Sequence, residues 1–442
     1  HQGNDFQITS EFWEHLNELS AEFDEDGRFT VFPGWEWSGN TGLGGDRNVL
    51  HMKEGRQIRR SSHALVDDLS DVTTDSNSAA QLFEDLRGED CTVFAHIGGR
   101  YADIKMAHDN RLERSVEVHS AWGTFEWLIQ DAFEQGYRVG ILSNSDGHKG
   151  RPGASHPGAT KFGSYGGLSC LLAPEHSRAG LMEALRKRHH YGTTGCRMVL
   201  DTKVIFDNPA ELFAEDPNLG ATDSAMVSEA MMGDILRSGD AEATLRIDVH
   251  ASSPIERIDI RNGLDTVEVV RPYAKADLGR RIRVLWEGSE YRGRGRETIW
   301  DGFAELTDNA FERLHPINRY NLDKRFDHVA ADRLEWTGLT TGGFGGFDAW
   351  LEDPHAGTLK IDTALVKEEI AVESIGYDEM IFANGGIDRR IRVFRLPDEN
   401  PHRICTLERR IKLADDRDNA LYVRITQEDG HFVWSSPTYI FR

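Results

Sequence analysis

The stretch ILSNSDGHKGRP, residues 141–152, sets the reading of this chain. Apolar residues (Val139, Ile141, Leu142) lead into a polar turn carrying Asp146 and, two positions on, His148. A short apolar run bounded by turn residues reads as a buried strand. An Asp-x-His at its carboxyl end aims a hard oxygen and a borderline nitrogen at one spot, a pairing that suits Zn, Mn or Fe. Taken alone, the stretch is equally an ordinary strand-to-loop turn, where Asp, Ser, Asn and Gly recur for backbone reasons. Its neighbours have to decide.

Outward from this strand, segments of two kinds alternate. Residues 10–20 read as an amphipathic helix, with Phe12, Leu16 and Leu19 on one face and Ser10 as the N-cap. Residues 29–37 read as a strand running into a turn, 79–86 as a helix, and 92–95 as a buried strand ending at His96. A strand at 116–118, a helix at 124–135, the strand at 138–142, a strand at 168–172 and a helix at 179–188 follow. Strand–helix alternation predicts an α/β fold with parallel strands. Residues 56–77 are polar and rich in Ser and Asp, which predicts a long surface excursion. After about Val199 the texture changes to short β-type segments punctuated by Gly, Asp and Pro, predicting a β-sandwich-like region. The expected organisation is one domain over 1–199 and a β-rich domain over 200–442.

Composition narrows the partners. With 442 residues, 39% hydrophobic and 28% charged, the chain can bury a sizeable core. No apolar run approaches the roughly 20 residues that span a bilayer. A formal charge of −23 argues against nucleic acid and anionic membrane surfaces, because phosphates would be repelled. Cys91, Cys170, Cys196 and Cys405 are widely spaced without a CxxC, which excludes a zinc ribbon and a disulfide scaffold. The Gly-rich TGGFGGF at 341–347 lacks the strand–helix context of a dinucleotide loop and reads as a turn. The chain starts at His1 rather than Met, and the expectation is that an upstream segment exists.

Metal-type residues recur where buried strands end. Glu36 follows FPGW, His96 follows TVFA, Glu117 and His119 lie in VEVH, and Asp146 with His148 follows ILSN. One such His is usually a satisfied core or surface residue. In a β/α barrel, however, all these ends face one rim, where active sites are built.

The stretches FPGWEWSG, DRNVLH, FAHIGGR, VEVHSAWG and SNSDGHKGRPG resemble the PHP (polymerase and histidinol phosphatase) superfamily of metal-dependent hydrolases. The resemblance implies a distorted (β/α)7-type barrel holding two or three Zn, Mn or Fe ions, and hydrolysis of phosphate esters. It implies Glu36 as the bridging carboxylate, with His96, Asp146 and His148 as ligands and His119 as a further one. His1 falls where the family carries the His of an Asp-His pair. The family's opening His-x-His has no counterpart here.

Such a site needs cations to receive a tetrahedral anion, and Arg47, Arg100, Lys149 and Arg151 lie beside the ligand candidates. Arg suits a bidentate grip on phosphate or sulfate. Asn48 and Glu117 are candidates for orienting ligating imidazoles. His190 and Thr193 either line the site or serve a turn, and Trp35, Trp37, Trp122 and Trp127 form an apolar wall or simply core. The expected partner is a small anionic ester, and a homo-oligomer is compatible with the sequence. A sulfate or phosphonate ester on the same site, or a non-catalytic metal- or carbohydrate-binding protein, are the alternative readings.

Overall fold

A computed structural model describes residues 5–98, 100–148, 164–293, 297–319, 322 and 324–442. The molecule is mostly β, with 44% of residues in strands and 13% in helices. The helices read from sequence are present: α1 (Ser10–Phe23), α2 (Ala79–Asp85), α3 (Trp127–Glu134) and α4 (Arg178–Arg186). The expected α/β barrel is not. The first sheet holds β1 (Gly34–Trp37), β2 (Arg47–His51), β3 (Cys91–Ala95), β4 (Glu113–Ser120), β5 (Gly123–Thr124) and β6 (Gly140–Ser143). No sheet closes on itself among the described residues.

Two connections explain the correction. The link from β1 to β2 is a Gly-rich turn with no α-helix, shorter than the dozen or more residues of a parallel crossover, so the pair is antiparallel. β2 and β3 are likewise antiparallel. In this sheet, among the described residues, only β3, β4 and β6 run parallel, and only β4–α3–β6 forms the expected strand–helix–strand unit. β7 (Leu168–Leu171) and β8 (His190–Thr193) are antiparallel and leave this sheet altogether. They join a 12-stranded sheet through pairing of β8 with Phe432–Ser435. The expected single sandwich after Val199 gives way to several sheets, including two of five strands each.

Helix α1 is capped by Thr9, whose hydroxyl accepts from the Phe12 amide, rather than by Ser10. Its buried face is Trp13, Leu16, Asn17 and Ser20, with Phe12 left outside. Trp13, Leu16, Leu82 and Phe83 cover Trp35, Trp37 and Val49 on one side of the first sheet. Val116 and Val118 lie on the same face and, with Phe125, share a core with Phe344, Phe394, Phe432 and Trp434 of the β-rich half, while Leu50, Phe94 and Leu142 on the opposite face pack with Leu171 and Leu185. The first sheet therefore has α1, α2 and the C-terminal strands against one face, and α4 with β7 against the other.

The 56–77 excursion is pinned rather than loose. The His63 ring, nearly buried, meets the Asp75 carboxylate at Nδ1 and the Asp71 carboxylate at Nε2, each at 2.8 Å. Carboxylates only accept, so both ring nitrogens must carry hydrogen, and the ring is an imidazolium. Burial works against that charge, but the bonds to Asp75 and Asp71 outweigh it and raise the pKa. Arg60 donates to Asp71 and to the Ile8 carbonyl, tying the excursion to the start of α1. A raised histidine pKa stabilises the fold below the ordinary value near 6.5 and ceases to do so as pH rises through the folded value. His63→Gln should cost about 2 kcal/mol at pH 6 and much less at high pH, read by urea unfolding at both.

Candidate metal centre

Register brings the ends of five strands to one rim. The carboxyl ends of the parallel β3, β4 and β6 lie together. Arg47 at the start of antiparallel β2 sits opposite Ala95 at the end of β3, and Trp37 at the end of β1 sits opposite Arg47. Glu36, Asp46, His96, Glu117 and Asp146 occupy these positions; the first four are buried, and Asp146 is half-buried with its carboxyl nearly enclosed.

The donor atoms face one another. His96 Nδ1 bonds Glu117 Oε1 at 2.7 Å, and His96 Nε2 lies 3.7 Å from Asp146 Oδ2. Gly98 shows how tightly the segments converge. A Cβ on it would lie 2.8 Å from His96 Nε2, 2.9 Å from Glu36 Oε1 and 3.1 Å from Asp46 Oδ2. Ser38 Oγ donates to Glu36 Oε1 at 3.2 Å, and the Arg100 amide donates to Asp46 Oδ2 at 2.8 Å. Asp146 takes a left-handed backbone, φ 43°, which places its carboxyl toward His96 while His148 turns outward. The His148 ring is half exposed, bonds the Asp146 carbonyl at 2.8 Å, and meets the edge of Trp122.

Burial and crowding of like charge dominate the electrostatics. The Asp46 carboxyl is pushed up to about 7 by burial and by Glu36, against the pull of Arg100. Asp146 is also raised to about 7, by burial and the charges of Glu117, Glu36 and Asp46, against His96. Burial works against charge on His96 too, but Glu117, Asp146 and Glu36 carry it well above its ordinary value. Repulsion among buried carboxylates is what a divalent cation relieves.

These residues fit a cation. With metal–donor bonds of about 2.1 Å, two donors sharing an ion lie about 3–4 Å apart, the range of the His96–Asp146 separation. Asp146 Oδ2 is buried with no hydrogen-bond partner among the described residues, as a ligand atom facing an ion would be. Among the described residues no group of three or more His, Cys, Asp or Glu is placed to hold a metal ion as it stands. Gly98→Ala should test the convergence. Its methyl would enter the space between the donors and weaken Mn2+ binding about tenfold or more, measured by calorimetry on the folded variant.

Several expected site residues lie elsewhere. His119 is buried, with Nδ1 beside the Thr124 hydroxyl and Nε2 donating to the Tyr165 carbonyl, each at 2.9 Å. Burial lowers its pKa to about 3, so it is a neutral ring whose two nitrogens are both engaged by protein. It faces a narrow cleft with Thr124, Ser164, Thr341, Phe344 and Phe432 rather than the carboxylates. Arg47 is fully buried, paired with Glu113 and donating to the carbonyls of Gly44 and Ala107, so it braces β2 instead of meeting substrate. Arg100 does belong to the rim: its guanidinium lies 3.3 Å from Asp46 and donates to the Ser38 and Gly39 carbonyls.

Trp35 and Trp37 are core, His190 is buried against Ile141 and Ser115, and Thr193 closes a turn onto Cys196. Asn48 sits opposite Glu36. His1, Lys149 and Arg151 lie outside the described residues. Asp46 is the residue that sequence reasoning missed. Its GGDR setting reads as a turn, and only recognition of 47–51 as a strand paired with β3 would have placed it at the rim.

Comparison with known proteins gives relatives rather than a family. An uncharacterised protein of Chlamydia pneumoniae is 24% identical over 291 residues, covering 61% of this chain and 41% of that protein. An uncharacterised protein of Chlamydia trachomatis is 24% identical over 219 residues, covering 45% of this chain and 34% of the relative. The chain thus spans less than half the length of these relatives. No family model and no solved structure matches it.

Proposed function

We propose that the chain is a metal-dependent hydrolase of small anionic esters, with phosphate esters as the leading substrates. The supporting observation is the convergence of Glu36, Asp46, His96 and Asp146 from four segments on the space beside Gly98. The resemblance to PHP hydrolases supports the reading through these residues and not through the barrel. Glu36, Asp46, His96 and Asp146 would hold one or more divalent ions. Such ions lower the pKa of bound water toward about 7 and receive an ester oxygen.

The chain's own groups set the conditions. Four carboxylates against His96 and Arg100 repel an anion, so an anionic ester gains access only when cations offset that charge. Arg100, braced by the Ser38 and Gly39 carbonyls, holds positive charge at the rim. Glu117 holds the His96 ring through Nδ1 and leaves Nε2 turned toward Asp146. His148, at the exposed edge, is placed to meet an ion or the ester as it enters.

The test is a screen of aryl phosphate mono- and diesters against aryl sulfates, with Mn2+ and Zn2+ supplied in turn. Phosphate ester turnover that chelation abolishes is the expected result. Sulfatase activity would shift the substrate class, and metal binding without turnover of any ester would leave a binding protein.

A further inference from the structure

His96 is held through a chain of two side chains. Glu117, buried on β4, has one oxygen on His96 Nδ1 at 2.7 Å and the other on Asn144 Nδ2 at 2.5 Å. Asn144 follows β6 directly, two residues before Asp146. Its backbone is fixed separately: its amide donates to the His119 carbonyl at 3.0 Å, and its own carbonyl accepts from the Gly167 amide at 2.8 Å. The side-chain oxygen also accepts from the Ser169 hydroxyl on β7 at 3.5 Å, so the amide lies between β7 and Glu117.

We propose that Asn144 is a positioning residue for the metal centre, fixing the Glu117 carboxylate so that the His96 ring is held with its proton on Nδ1 and Nε2 facing the ion. The inference rests on the proposed metal reading and deepens it. A carboxylate has no donor, so of the amide's two ends only the NH2 can serve it, which sets the orientation of Asn144. Glu117, bonded at both oxygens, cannot swing about its terminal torsion, and a ring bonded at Nδ1 keeps its tautomer. Without the Asn144 donor, Glu117 has a second orientation open to it and the ring loses its fixed direction. The loop's two ligand-related roles are then separate: Asp146 faces the ion, and Asn144 aims the imidazole through Glu117 on the intervening strand β4.

The experiment uses the full chain and Mn2+ alone. Calorimetric Kd values are compared for wild type, Glu117→Gln and Asn144→Ala, with Gln130→Ala on the exposed face of α3 as a control. A second readout is the 15N spectrum of the histidine rings with Zn2+ bound, which reports the His96 tautomer. Glu117→Gln should weaken binding about 10- to 100-fold and Asn144→Ala about 3- to 10-fold, with the Nδ1–H signal of His96 broadened or shifted in both. Asn144→Ser, shorter but polar, backs up the alanine variant if that one does not fold. Asn144 variants that fold and bind Mn2+ as wild type does, with an unchanged His96 signal, would overturn the inference. A lower melting temperature with unchanged Kd and tautomer would do the same, marking a purely structural bond. Wild type that binds no Mn2+ would overturn the metal reading itself, a separate outcome.

Discussion

Replacing His96 by alanine is expected to weaken Mn2+ or Zn2+ binding by more than about 100-fold, beyond the loss usual for an outer partner of a ligand. His96 supplies the nitrogen among the buried donors described, and it lies between Glu117 and Asp146. The consequence extends to stability. At 100 times Kd, a ligand that binds only the folded state adds about 2.7 kcal/mol, which His96→Ala should forfeit. The pH dependence has a definite sign. Asp46 and Asp146 are raised to about 7, so without metal they stabilise the fold at low pH and cease to do so as pH rises through about 7. A cation relieves the charge that appears there, so added Mn2+ should raise the melting temperature more at pH 8 than at pH 6. An equal shift at both values would mean that the ion binds elsewhere.

Arg283→Met should be the most damaging change outside the candidate site, at about 3–5 kcal/mol. Arg283 lies in the strand Arg281–Ser289 with no exposure, donating to Asp348 through Nε at 2.7 Å and Nη2 at 2.9 Å. It also pairs with Glu256 on the 12-stranded sheet and donates to the Glu428 carbonyl in the turn just beyond that sheet's strand Asn419–Gln427. Removing the guanidinium leaves Asp348 and Glu256 buried, with Arg281 as the remaining close cation of the cluster. Methionine keeps the bulk but leaves those charges uncompensated, which costs more than the pair contributes when intact. Urea unfolding of the variant checks this. A loss under about 1 kcal/mol would show that the carboxylates find other partners or water.

How much was legible in the sequence depended on the range of the interaction. The four helices follow from local periodicity, three of them with Ser or Thr caps, and the apolar runs read at 92–95 and 138–142 coincide with strands Cys91–Ala95 and Gly140–Ser143. Parallel or antiparallel pairing is not a local property. The turn at 38–46 contains only a single 3-10 turn, Thr41–Leu43, and β2, with the mixed sequence RNVLH, carries no clear alternation. Missing β2 turned a mixed open sheet into an expected barrel. It also hid Asp46 and made Arg47, a buried brace, look like a substrate cation. His119 misled for a related reason: it shares a strand with Glu117, but the ladder shifts register between the two, and the ring ends beside Thr124 and Tyr165. Glu36, His96 and Asp146 lie together because each sits at or just past the end of a buried strand, a signal that does not depend on the barrel topology.

The most direct test is elemental analysis of the full chain after metal-replete expression, beside Asp146→Asn. Two or more equivalents of Mn, Fe or Zn per wild-type chain, with at least one lost in the folded variant, are expected of a hydrolytic metal centre. Wild-type protein carrying no transition metal, or an Asp146→Asn variant that retains the full complement, would contradict it.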